Sequence, residues 1–441
     1  MLKKLLYSSN FWFYNYILTF IMLSFFIIEP LRKRIEERST LTSYSDAIFL
    51  LSVLILILSL FFYIKSYQQI KKNEIDKKKL KLFFLIFSFL LIFIWPITSH
   101  DAFSYIYQSR IISHHQANPY EHSYSEFKYN DKLYNILENK WSSRYSPYGP
   151  LFLNIGSGIT KIANNNLIIS LLLFKLVFWL FFIGSAGLVY KITKSLSSFY
   201  LFAFNPYLLF EFLINGHNDI IIIFFLLLSL YYLFKTSWKT QFLSITFLFL
   251  AFITKSYAII FLPLAGIKII LNKKLITEKV KIFIFFLFFI ILSTLFSIFL
   301  IDKNVNLKTL LLPIQNQTNI INPVLHSPFI GIIKNIFKTS WKDSALISQT
   351  IFIIIFSALS LFLSQKYKYR QLLNYHIFIW VLATIFFFLT CIPWFMPWYL
   401  TIIISLLILL THNNTDVKQK IFLYSLYFIS FFAIIFYIIL R

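Results

Sequence analysis

Asp101 stands directly after an apolar run that ends at Trp95-Pro96, with His100 beside it. A carboxylate at the surface end of a lipid-buried segment can take the proton from a hydroxyl group held near it. Partial burial would raise its pKa toward a useful value. The same residue is equally suited to capping the amphipathic helix expected over 102–112. Arg110, His114, His115 and His122 follow in the same polar stretch.

Other residues carry chemistry of their own. NPYEHSY (118–124) and RYSPYGPLFL (144–153) place Tyr120 and Tyr148 in Pro-Tyr pairs, with a Gly-Pro behind. Such rigid turns shape a pocket in which carbohydrate rings could stack, although interfacial tyrosines also anchor in the headgroup layer. Arg144, with its forked donors, is the natural phosphate ligand of this stretch, and Arg110 stands behind it. In NPYLLFEFLINGHNDI (205–220), Glu211 lies inside an apolar run, where a carboxylate is costly unless it faces the bundle interior or a wet cavity. Gly216 lets the chain turn, and His217, Asn218 and Asp219 form polar tips that could position sugar hydroxyls, or Asp219 simply caps the next helix. His100, Asp101, His217 and Asp219 together offer divalent-cation chemistry, but their spacing is not diagnostic and no metal is assigned. Lys255 stands between two short apolar runs, either snorkelling or neutralising a lipid phosphate. NPVLHSPF (322–329) and CIPWFMPWYL (391–400) could form a lid and a lipid groove. Phosphate-cradling glycine loops, zinc-protease helices and nucleophile elbows are absent from the sequence, which argues against nucleotide-driven or hydrolase chemistry.

The elements that must position these residues are apolar helices. The chain has 441 residues, 59% hydrophobic, 21% aromatic and 13% charged, with a mean hydropathy of +0.73. No soluble domain could hide that much apolar surface, so the expectation is one all-α polytopic membrane domain over 1–441. Apolar runs fall at 10–28, 46–64, 81–98, 166–190, 198–214, 219–234, 241–255, 257–271, 281–301, 345–364, 374–392, 397–411 and 421–440, about thirteen transmembrane helices. Three of them are too short for a roughly 30 Å hydrocarbon core and would leave a recess at one face. The net charge of +24 reflects lysines in short connectors, as the positive-inside bias demands, and not nucleic-acid binding. That bias puts the N-terminus and 65–81 in the cytoplasm. The 99–165 loop then lies outside with a re-entrant segment at 149–163, and 302–344 forms a second outer loop. The turn Arg32-Lys33-Arg34 falls outside in this scheme, a mild violation. The lone Cys391 excludes a disulfide framework.

Taken in order, SHDAFSYIYQSRIISHHQANPY, YSPYGPLFL, NP…NGHNDIIIIFFLLLSL and a later PWYL resemble the polyprenyl-phosphate-mannose-dependent mannosyltransferases of the bacterial GT-C class, nearest the group that builds α-1,6-linked mannan cores. The likeness is good over about 95–260 and loose in the C-terminal third. It implies a GT-C-like fold whose large first outer loop carries amphipathic helices, in the bacterial plasma membrane, with the active site outside the cytoplasm. It further implies a polyprenyl-phosphate sugar donor, a glycan or glycolipid acceptor and inverting transfer; no cofactor is expected, and a divalent metal stays open. Asp101 matches the general base. His217, Asn218 and Asp219 match the polar turn, and Lys255 the basic residue before an apolar run. Many GT-C enzymes pair two acidic residues in the first loop; here the partner position is His100, which puts any carboxylate-pair or metal-bridged mechanism in doubt. Two other readings stay open on the residues alone: a transporter or flippase whose pathway is lined by Glu211 and Lys175, and a surface-polysaccharide ligase or polymerase.

Overall fold

The computed structural model describes residues 12–22, 46–71, 76–138, 141–235, 237–270, 316, 325–367, 373–412 and 416–440. Helices follow one another as α1 (12–22), α2 (Asp46–Lys71), α3 (Lys77–Leu91), α4 (Asp101–Ser113), α5 (Tyr134–Leu137), α6 (Pro150–Ala163) and α7 (Leu167–Thr193). After these come α8 (Leu196–Ala203), α9 (Pro206–Ile214), α10 (Asp219–Leu233), α11 (Trp238–Phe252), α12 (Phe261–Ile270) and α13 (Pro328–Phe337). The described part ends with α14 (Trp341–Tyr367), α15 (Leu373–Thr390), α16 (Leu400–Leu410) and α17 (Asp416–Leu440). Among the described residues no strand occurs.

Five of these helices are long and apolar enough to cross a membrane: α2, α7, α14, α15 and α17. A sixth span results if α8 and α9, bent by 45°, count as one. The chain is therefore a helical membrane protein, but the thirteen crossings expected from apolar runs are not found among the described residues. The run 81–98 stops being helical at Leu91, ahead of Trp95-Pro96. The runs at 219–234, 241–255, 257–271 and 397–411 fold as shorter apolar helices. α10, at 15 residues, is roughly 22 Å long, short of a bilayer's apolar core. The run 281–301, most of the 302–344 loop and the turn at 32–34 lie outside the described residues.

Helix breaks inside an apolar bundle free backbone carbonyls that no water can satisfy. At Asn205-Pro206 the side chain of Asn205 accepts from the amides of Tyr207 and Leu208 at 3.0 and 3.1 Å. Tyrosines from the first two helices supply the missing donors: Tyr16 donates to the Phe204 carbonyl at 2.6 Å and Tyr63 to that of Leu201 at 2.7 Å. Just beyond, residues 210–214 close as a π-turn, a one-residue widening often found at functional positions.

The first large loop is a packed unit. α4 was expected to be amphipathic, yet every residue from Ala102 to Ile111 is buried, because α6 and α7 cover it along with the Tyr124 and α5 turns. α6 is the amphipathic one, with Phe152, Leu153, Gly156, Ile159 and Thr160 buried on one face. Its N-terminus meets the end of α11: the amides of Gly149 and Leu151 donate to the carbonyls of Thr254 and Ile253 at 3.0 and 3.1 Å. A Cβ on Gly149 would sit 2.2 Å from the Ile253 oxygen, so only glycine permits this backbone approach.

Arg110 anchors the other end of α4. Its guanidinium, 1% exposed, pairs with the buried carboxylate of Asp131 at 2.8 Å and donates to Asn164 O and Asn165 Oδ1, both at 2.9 Å. Burial pushes the Asp131 carboxyl up, but hydrogen bonds from His115, Arg110 and the Leu133 amide outweigh it and hold the group well below the ordinary carboxylate range. Because the folded value is depressed, the stability it confers is present above the unfolded carboxylate pKa near 4 and drains away as pH falls below it. Asp131→Asn is accordingly expected to cost about 3 kcal/mol by stranding Arg110. Thermal unfolding in detergent between pH 3 and 7 checks this: the variant should melt lower at neutral pH and lose part of the wild-type acid slope.

Candidate functional site

A cavity of about 400 Å³ opens between the first loop, the end of α11 and the α14, α15 and 391–399 segments. Asp101 forms part of its floor with Tyr148, Lys255, Tyr257 and Tyr399. Trp141, Arg144, Tyr145 and Trp394 line it too, Trp141 and Trp394 meeting edge to face at 4.6 Å. The remaining wall is apolar, from Phe252, Ile259, Phe352, Ile353, Phe387 and Ile392. The site therefore joins a carboxylate and two cationic side chains to a greasy surface within one space.

Asp101 starts α4, its side chain 22% exposed. Its Oδ2 lies 3.5 Å from His217 Nδ1, and Nε2 of the same ring lies 3.3 Å from Glu211 Oε2. Gly216 makes this possible: with φ at +75° it turns the chain back, and a Cβ there would touch Ala102 and Lys175. The His217 ring stacks on Trp398 with centroids 4.1 Å apart. Burial opposes ionisation of Asp101, but the His217 ring, Lys255 and His100 outweigh it and hold its carboxyl below the usual value. The raised pKa expected from the sequence is thus reversed, since cationic neighbours outweigh desolvation.

The other predicted residues divide into those that meet the cavity and those behind it. Tyr148, Arg144 and Lys255 line it; Arg144 is exposed, its guanidinium 5.7 Å from the Trp141 ring. Lys255 Nζ is held 3.2 Å from both oxygens of the buried Asp219, which also accepts a hydrogen bond from Tyr257. The lysine lies against the rings of Tyr399 and Tyr257, at 4.8 and 5.4 Å. Glu211, His217, Asn218 and Asp219 are fully buried behind the floor. Asn218 accepts from the Tyr105 hydroxyl, and Glu211 from Tyr437 and Asn215. Tyr120 is buried under Tyr148, donating to its carbonyl at 2.9 Å. His100 is partly exposed beside Asp101 and does not line the cavity. Arg110 is committed to Asp131, away from the cavity. Lys175 is fully buried and donates to the Ile94 carbonyl.

Several contributors were not singled out in the sequence. Tyr257, Tyr399 and Trp398 had no signal beyond the KSY and PWYL contexts, and Tyr437, 226 residues from the Glu211 it bonds, had none. Among the described residues no three His, Cys, Asp or Glu side chains form a group that could hold a metal ion. Asp219 is satisfied by Lys255 instead. Losing either partner strands a buried charge. Asp219→Asn and Lys255→Gln are each expected to lower the melting temperature in detergent, and the double substitution to lower it by less than the sum. A strictly additive double variant would mean the pair is uncoupled.

Comparison with known proteins gives one match, and its range covers the first loop and the end of α11. No curated protein and no solved structure matches the chain. The family model for the N-terminal domain of alpha-(1->6)-mannopyranosyltransferases matches residues 27–271, more than half of the chain and the stretch that holds Asp101, Arg144, the 216–219 turn and Lys255. With apolar helices fit to span a bilayer, a polar cavity floor and that match, the chain belongs to the alpha-(1->6)-mannopyranosyltransferase family and is a membrane mannosyltransferase.

Proposed function

We propose that the protein transfers mannose from a polyprenyl-phosphate donor to a glycan or glycolipid acceptor, with inversion, in a GT-C manner and on the extracytoplasmic face. The observation that carries this reading is the cavity itself, where Asp101, Lys255 and Arg144 share one space with an apolar wall. A donor with a lipid tail, an anionic phosphate and a sugar matches those surfaces in turn. A nucleotide sugar would leave the apolar wall without a partner. Arg144 and Lys255 stand for the phosphate, and Arg110, committed to Asp131, holds the loop in place instead.

In the transfer, Asp101 takes the proton of the acceptor hydroxyl as that oxygen bonds to the anomeric carbon. The bond from that carbon to the phosphate oxygen breaks on the opposite side, and its electron pair leaves on the phosphate, whose growing charge Arg144 and Lys255 stabilise. A carboxylate held low in pKa by its neighbours stays ionised at neutral pH and is ready to accept that proton. Tyr148 borders the sugar, while Glu211, His217, Asn218 and Asp219 act from behind the floor.

The positions of the lysines support the extracytoplasmic side. Connector lysines gather on tyrosines at the far end of α7: Lys81 over Tyr190 at 4.0 Å, and Lys191 and Lys235 over Tyr231 at 4.6 and 4.3 Å. α7 has 27 residues, roughly 40 Å, and its other end joins the Arg110 cluster of the first loop. The positive-inside bias assigns the lysine end to the cytoplasm.

Asp101→Asn tests the chemistry. In purified protein with polyprenyl-phosphate mannose and cell-envelope acceptor, and with melting matched to wild type, the expected loss of transfer is at least about 100-fold. Equal transfer by both proteins would place the base elsewhere.

A further inference from the structure

We propose that His217 and Glu211 are positioning residues for Asp101: the His217 ring, set between the carboxyl groups of Asp101 and Glu211, holds Asp101 facing the cavity. This rests on the reading of Asp101 as the base. The geometry leaves the ring few alternatives. Its nitrogens stand 3.5 Å from Asp101 Oδ2 and 3.3 Å from Glu211 Oε2, and neither has another partner among the described residues. The stack on Trp398 fixes the ring plane, so the ring keeps its nitrogens toward the two carboxyl groups.

Glu211 is itself held in place. Its Oε1 accepts from the Tyr437 hydroxyl at 2.8 Å and its Oε2 from Asn215 Nδ2 at 3.3 Å. Asn215 is itself held, donating to Thr98 Oγ1 at 2.8 Å and accepting from the Ile97 and Thr98 amides. The titratable groups around the ring come from every neighbouring element: Asp101 and His100 at the start of α4, Glu211 from α9, Tyr437 from α17, and Lys175 from α7 against Gly216. Asp219 is paired with Lys255 at 3.2 Å, and Lys255 also acts on Asp101. Of the two carboxyl groups that flank the ring, the one that meets the cavity is Asp101.

The test is the pH dependence of kcat/KM from pH 4 to 8 for wild type, His217→Gln and Glu211→Gln, with Asp101→Asn as the control, all in detergent with polyprenyl-phosphate mannose. His217 is first among the groups that hold the Asp101 carboxyl low, so losing the ring, or the Glu211 side chain that holds the ring in place, raises it. The acid limb is therefore expected to move up by about one pH unit in both variants, with kcat lowered and the donor KM within about twofold of wild type. Tyr437→Phe, which keeps the packing and removes one donor to Glu211, carries the test if Glu211→Gln does not fold; it loosens Glu211 and should move the limb the same way by less. Limbs that stay at the wild-type position while Asp101→Asn is inactive would overturn the positioning role and leave the base assignment standing. An Asp101→Asn protein with wild-type transfer would overturn both.

Discussion

An apolar bundle pays nothing toward an unpaired charge, so every ionised side chain within it must find its counter-charge or donors inside the protein. That constraint organises the whole site. Asp219 lies against Lys255, Glu211 against Tyr437, Asn215 and His217, and Arg110 against Asp131. Together these contacts fix where α4, α9, α10 and the end of α11 meet. The exposed cation at the cavity, Arg144, lies on the loop where water and substrate can reach it.

The same constraint explains the backbone. A polar cavity floor needs helices that stop inside the apolar layer, and each stop frees amides and carbonyls. Asn205, Tyr16 and Tyr63 close one such break, and the docking of Gly149 onto the carbonyls at the end of α11 closes another. The latter break brings Lys255 beside Tyr148. Structure and site are built from the same bonds, which is why buried tyrosines are so prominent around both.

Much of this was legible in the sequence for residues whose chemistry conflicts with their surroundings. Asp101 after Trp95-Pro96, Glu211 in an apolar run and Lys255 between two short runs each stood out because they are costly there, and all three lie in or directly behind the cavity floor. Their partners were hidden. Asp131 is one acidic residue in a polar spacer, and nothing local ties it to Arg110. Tyr437 and Trp398 belong to a C-terminal third in which aromatics are everywhere. Arg110 and Tyr120 have the right chemistry for a ligand, but the fold consumes both in its own hydrogen bonds. The helix count failed for a related reason: hydropathy registers apolar runs but not whether a run is bent, short or capped within the bundle.

The central claim is that a lipid-phosphate sugar, and not a nucleotide sugar, is the donor. The direct measurement is transfer of labelled mannose by the purified protein to a cell-envelope acceptor, from polyprenyl-phosphate mannose in one reaction and from a nucleotide-linked mannose without lipid carrier in another. The account predicts product only in the first, with the anomeric configuration inverted relative to the donor. Product from the nucleotide sugar alone would contradict it, because the apolar wall beside Asp101 would then have no substrate to bind.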